Sequence, residues 1–103
     1  MTPQIYEKFS ETNNWLLNAI IEKVHGRSFN RDEILDRVTI EHDKTTQENK
    51  VYLDKKLIMT SFLKIMTETV DDEVVNTSCH GEFNIPKKYM DEYIKDRATN
   101  WMR

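Results

Sequence analysis

The 103-residue sequence predicts an α+β domain: an N-terminal helix (or two), an antiparallel sheet of three to four strands, and a C-terminal helix packed on the sheet. Three observations predict it. Apolar residues recur every three or four positions between Ile5 and Val24. Strict alternation of apolar and polar residues then marks the stretches around Val38–Asp43 and Val75–Ile85. A helical stripe returns near the end with Met90, Ile94, Ala98 and Trp101.

In the first helix Thr2 is a candidate cap, and Pro3 suits the first helical position, where its missing N–H costs nothing. Ile5, Phe9, Asn13, Leu16, Ile20 and Val24 form the stripe, Leu17 and Ile21 widen it, and Gly26 ends it. The pair Asn13-Asn14 is a candidate break, with Asn14 capping a second piece. "SFNRDEILDR" adds a short helix, with Asn30 as N-cap and Asp32 and Glu33 in its first turn.

"RVTIEHD" places Val38, Ile40 and His42 on one strand face and Thr39, Glu41 and Asp43 on the other. "TTQEN" reads as a polar five-residue loop, and "KVYLD" returns with Val51 and Leu53 on one face, making a hairpin. Residues 55–70 carry apolar groups at both spacings. As a helix they are capped by Asp54, with Ile58, Phe62, Ile65 and Met66 in a stripe; as a strand they are apolar on both faces, which requires a central, doubly covered position. Threonine content and the turn-like "VDDE" tip the balance toward strand. From Val75 the odd positions Val75, Thr77, Cys79, Gly81, Phe83 and Ile85 form an inward face, with His80 and Glu82 outward. Asn84 caps the predicted last helix, with Pro86 in its first turn and Asp91 and Lys95 as an i,i+4 pair.

Composition bounds the function. Hydrophobic residues make up 38% and charged residues 32%, and the net charge is −3, so no global field draws the chain to nucleic acid or anionic membrane. One cysteine forms no internal disulfide. No apolar run reaches the roughly 18 residues that span a bilayer, and "MTPQIYEKFSETNNW" lacks the charge and apolar pattern of a signal peptide. The expectation is one compact α+β domain over residues 1–103, cytoplasmic and without a membrane partner. Two glycines, at 26 and 81, exclude a phosphate-binding P-loop and a dinucleotide fingerprint, and no Gly-x-Ser-x-Gly elbow occurs. No Cys-x-x-Cys, His-Glu-x-x-His or calcium-loop spacing is present, so neither a cofactor nor a metal is expected.

Four groups remain as candidate sites. Cys79 and His80 look like a nucleophile beside its base, but strand neighbours face opposite sides, and the ordinary reading of Cys79 is a core thiol. His80 and Glu82 share a face and are the weak enzyme or metal candidate. Tyr89, Tyr93 and Trp101, with the acidic turn Asp71, Asp72 and Glu73, are the protein-interface candidates, because aromatic residues are enriched at partner surfaces. Lys55, Lys56, Lys87, Lys88 and Arg97, with Arg103 beyond them, are the nucleic-acid candidates. Lys87 and Lys88 at a helix start oppose the macrodipole, which hints at function. The order helix, three strands, helix is similar, in arrangement alone, to double-stranded-RNA-binding modules, whose basic cluster is matched here only by Lys87-Lys88.

The expected function is a small non-enzymatic protein-binding module, of accessory, inhibitor or regulatory type, whose partner is another protein or a second copy in a homodimer. The alternative is a nucleic-acid-binding module; a small enzyme or metal site at His80 and Glu82 ranks third.

Overall fold

The computed structural model describes residues 3–101; the candidate cap Thr2 and the candidate phosphate ligand Arg103 lie outside them. Helix α1 (Pro3–His25) and helix α2 (Arg31–Arg37) precede a meander of β1 (Val38–Asp43), β2 (Glu48–Leu53), β3 (Lys56–Val70) and β4 (Glu73–Asn84). A 3₁₀ turn at Lys87–Tyr89 and helix α3 (Glu92–Thr99) close the chain. The sheet is antiparallel with strand order β1-β2-β3-β4, so the fold is α+β as the sequence predicts.

Helix α1 runs unbroken through Asn13 and Asn14. Phe9 and Thr12 before the pair and Leu16, Leu17, Ile20 and Ile21 after it are buried on one face. That burial outweighs the few tenths of a kcal/mol by which asparagine disfavours a helix. Gly26 ends the helix at φ +74°, and its N–H donates to the Glu22 carbonyl at 2.8 Å. At the start of α2, Asn30 Oδ1 accepts the Glu33 N–H at 2.9 Å, the expected cap.

The first hairpin has a tighter loop than predicted. Lys44–Gln47 form it, and Glu48 and Asn49 belong to β2. Asp43 explains the difference: its carboxylate accepts the N–H groups of Thr45 and Thr46, closing the loop two residues early. Two further hairpins turn on two residues each. Asp54 and Lys55, at φ 51° and 67°, join β2 to β3; Asp71 and Asp72, at φ 53° and 65°, join β3 to β4. Two consecutive positive φ values mark type I′ turns, whose twist matches that of the strands.

Residues 55–70 are therefore a turn residue followed by a strand. An extra residue at Ile58, where the β2–β3 register shifts, places Ile58 and Met59 both in the core. The predicted cover on both faces is not found: past the bulge Met59 and Ser61 are buried, whereas the alternate residues Thr60 and Phe62 are only half-buried and Lys64 is exposed. The pairing of β3 with β2 ends at Phe62, and Met66 is exposed.

The last helix starts later than predicted. Asn84 belongs to β4, and Asp91 caps α3 by accepting the Ile94 N–H at 2.9 Å. Asp91 therefore does not act as the i,i+4 partner of Lys95 inside the helix; it lies 3.7 Å from Lys23 of α1. Pro86 stays extended, and Lys87 and Lys88 occupy the 3₁₀ turn. An acidic cap and Glu92 in the first turn suit the positive end of a helix, which two lysines do not. The mismatch that made Lys87-Lys88 a functional hint is thus removed.

The core lies between the inner face of the sheet and α1 and α3. Leu16, Ile20 and Ile21 of α1 and Val51, Ile58 and Met59 of the sheet are essentially inaccessible. Phe9 stacks on Phe83 at 4.9 Å between ring centroids, and Trp101 meets both edge-on, at 5.4 and 5.9 Å. Gly81 makes room for that indole. A Cβ there would lie 2.7 Å from Trp101 Cζ2, closer than packed carbons approach.

Candidate functional site

The feature with no counterpart in the core is an overhang of the sheet. Helix α1, 23 residues long, spans about 34 Å. Strand β3, 15 residues long, spans about 50 Å. Beyond Phe62 only β4 accompanies β3, so residues 63–81 project as a two-stranded arm. The molecule is accordingly elongated, 54 × 27 × 23 Å.

Among polar residues, the arm exposes apolar side chains near its tip. Met66, Val70, Val74 and Val75 are each between 51% and 61% exposed. Its cross-strand pairs run Ile65–Cys79, Met66–Ser78 and Thr67–Thr77, and a bulge at Val75 precedes the turn. The acidic candidates Asp71, Asp72 and Glu73 sit at its tip: two are turn residues and the third opens β4. An isolated two-stranded ribbon is marginally stable in water, and toward its tip this one leaves its apolar side chains uncovered. Sequence reasoning missed the arm. The signal was available in the spacing: the first hairpin closes after six-residue strands, whereas alternation on either side of "VDDE" continues for roughly twice as long.

The aromatic candidates divide. Trp101 is 5% exposed and belongs to the core, so it is not offered to a partner. Tyr89 is partly buried against the core, with the Lys88 ammonium 5.0 Å from its ring. Tyr93 is 73% exposed and leans on Trp15 of α1 at 5.2 Å. The Arg97 guanidinium lies over the same Trp15 ring at 5.4 Å. Trp15, Tyr93 and Arg97 thus form one surface cluster across the α1–α3 seam, of the residue types that dominate binding hot spots.

The basic candidates are only partly brought together. Lys55 and Lys56 stand at the β2–β3 turn, and Lys87 and Lys88 follow the end of β4 at the same end of the sheet, where Leu57 and Thr60 share a groove with Ile85 and Pro86. Arg97 lies apart, committed to Trp15. The neighbouring Asp54 is taken up by Arg37, whose Nε and Nη2 donate to it at 2.8 and 2.6 Å and hold its carboxyl below the usual range. The sheet has four strands where a double-stranded-RNA-binding arrangement has three.

His80 and Glu82 stand exposed on the outer face. His80 leans on Phe62 at 5.2 Å and pairs across the strands with Lys64; Glu82 accepts from Asn84 Nδ2 at 3.1 Å. Cys79 points to the inner face, half-buried, and burial pushes its thiol pKa up, away from thiolate chemistry. Among the described residues no three His, Cys, Asp or Glu side chains converge as metal ligands, and no helix is long and apolar enough to cross a membrane.

A second groove opens between the N-terminal half of α1 and β1. There Ile40 and His42, expected on the apolar face, look into open space lined also by Tyr6, Asn13, Asn49 and Leu63. His42 Nδ1 and Asn49 Oδ1 are 2.8 Å apart.

No protein-family model, curated protein or solved structure matches the chain.

Proposed function

We propose that the protein is a non-enzymatic protein-binding module whose binding element is the β3–β4 arm. One observation carries the reading: the arm extends past the helical layer with four apolar side chains exposed near its end. Single exposed apolar residues are ordinary on any protein, but four near the end of an unsupported ribbon, Met66 and Val70 on one face and Val74 on the other, are the pattern of an element that is covered by a partner. The acidic tip supplies orientation, since charge steers encounter more than it adds affinity.

The test is site-specific photo-crosslinking in the cells that make the protein, with the probe at Val70 or Val74. The control probe replaces Leu35, which is apolar and 70% exposed but lies on α2, away from the arm. A discrete protein adduct from the arm and none from α2 is the expected outcome. Equal, diffuse labelling from all three positions would remove the arm from the argument.

Nucleic-acid binding stays as a second reading because the two lysine pairs share one end of the sheet. Its measurement is affinity for mixed duplex and single strands as a function of salt. Neutralising Lys87 and Lys88 would weaken binding and flatten the salt slope by about one unit for each phosphate that is no longer neutralised.

A further inference from the structure

The two edges of the sheet are defended differently. Natural sheets protect their edges with charge, proline, bulges or a covering element. The β1 edge is six residues long and carries Glu41 and Asp43. The β4 edge is 12 residues long, and from Val74 to Gly81 it holds no Asp, Glu, Lys, Arg or Pro. Its one bulge, at Val75, leaves Asn76–Asn84 in regular pairing with β3. Asn76, Thr77, Ser78 and His80 are exposed. Trp101 covers Gly81 from the inner face of the sheet.

We propose that this edge pairs antiparallel with the same edge of a second copy, joining two four-stranded sheets into one of eight strands about a two-fold axis. The inference rests on the arm being a binding element, and it names the occupant.

Three features favour a second copy over a foreign strand. The first is symmetry. A two-fold axis perpendicular to the sheet keeps both inner faces on one side, so each residue meets one of its own parity. With Ser78 on the axis, Asn76 meets His80, Thr77 meets Cys79, and no like charges face each other across the new ladder. The second is reciprocity. Each arm lacks a third strand, and each supplies it to the other, turning two marginal ribbons into a four-stranded overlap. The third is charge. The same register lays the acidic turn beside residues 83–85 of the partner, next to a groove carrying Lys87 and Lys95, which have no ion pair among the described residues. Of the acids near that groove, Asp91 already caps α3 and meets Lys23, and Glu82 accepts from Asn84; Glu92 opposes the contact.

The experiment is light scattering after size exclusion over a concentration series, on the whole chain and on Ser78→Lys and Ser78→Glu. Ser78 is exposed, and far-ultraviolet circular dichroism checks that each variant folds. The wild-type mass is expected to rise to twice 12.3 kDa. Either variant alone, placing like charges on the axis, stays monomeric, and a 1:1 mixture of the two recovers the doubled mass. Recovery on mixing separates interface repulsion from damage to the fold. A monomeric wild type at every concentration overturns the self-pairing; if the arm still crosslinks to another protein, the binding role of the arm survives without it. A Ser78→Lys variant that dimerises like the wild type, or a mixture that stays monomeric, overturns it as well.

Discussion

Gly81→Ala is expected to destabilise the protein even though it replaces a poor strand former by a better one. In a strand interior glycine costs about 0.5–1 kcal/mol relative to alanine, so on propensity alone the substitution stabilises. The added Cβ, however, would lie 2.7 Å from Trp101 Cζ2 and 3.0 Å from a Leu63 methyl. Trp101 has little room to move, because it is held edge-on against Phe9 and Phe83. Overpacking of this kind costs about 1–3 kcal/mol. For a domain near 100 residues each kcal/mol lowers the melting temperature by roughly 4–8 °C, so a fall on the order of 10 °C is expected. The decisive assay is a double-mutant cycle by urea unfolding. Trp101→Ala alone costs about 3–5 kcal/mol as a truncated core aromatic. In that background Gly81→Ala has no indole to strike and becomes stabilising by about 0.5–1 kcal/mol. The sign reversal gives a coupling of about 2 kcal/mol, within the range of contacting residues. A neutral or stabilising Gly81→Ala in the presence of Trp101 would refute the reasoning.

Three further outcomes are checked by unfolding or amide-exchange measurements. Thr12 is fully buried in α1, and its hydroxyl has no hydrogen-bond partner among the described residues, so Thr12→Val is expected to raise stability by up to about 1 kcal/mol in a urea titration. Asp72 holds φ 65° in the arm turn, a conformation costing an L-residue about 1–2 kcal/mol and glycine less; Asp72→Gly is expected to stabilise the arm by about 0.5–1 kcal/mol, read as slower amide exchange at Thr67 and Thr77. The Asp54 carboxyl is held low by Arg37, so its contribution is present above the unfolded-state pKa and is lost as pH falls through the folded-state value; Arg37→Gln is expected to flatten the fall in melting temperature below about pH 4.

The parts of the fold legible in the sequence are those decided by local periodicity. The α1 stripe and the inward positions Cys79, Gly81 and Phe83 are in place because burial on one face leaves them a single solution, and Asn30 caps α2 through its own side chain. Val75 and Thr77, predicted on the same inward face, are exposed, because the bulge at Val75 and the end of β2 leave them on the arm. The errors share a cause in competition between local signals. Asn84 and Asp91 are both good caps, and the choice falls to Asp91 because the chain before it must first leave β4 and pass extended Pro86. The two type I′ turns carry Asp-Lys and Asp-Asp in place of the Asn-Gly that announces such turns, so Asp54 resembled a helix cap. In the candidate site, Tyr93 is exposed, whereas Trp101, named both in the apolar stripe of the last helix and among the interface candidates, follows the stripe into the core. A second clue was Gly81: a glycine at an inward position of an otherwise regular strand marks a place where something approaches closely.

The ambiguity of residues 55–70 has a different origin, and it bears on function. A segment apolar on both faces satisfies a helix and a buried strand alike, and the resolution assumed for a strand is cover on both sides. Strand β3 does not meet that condition: the helices pack on its inner face alone, β2 and β4 flank it together only at Thr60–Phe62, and the bulge at Ile58 is what brings Ile58 and Met59 both into the core. Its second half keeps apolar residues on both faces after β2 ends, in Ile65, Met66 and Val70, and β4 answers with Val74 and Val75. Evolution toward a self-sufficient monomer would shorten that half or charge its open edge, as the β1 edge is charged. A long ribbon with an uncharged edge is what the proposed pairing with a second copy would cover. The helix-versus-strand ambiguity and the proposal for the arm thus start from the same feature: apolar residues on both faces of a segment that one copy of the chain covers on one face only.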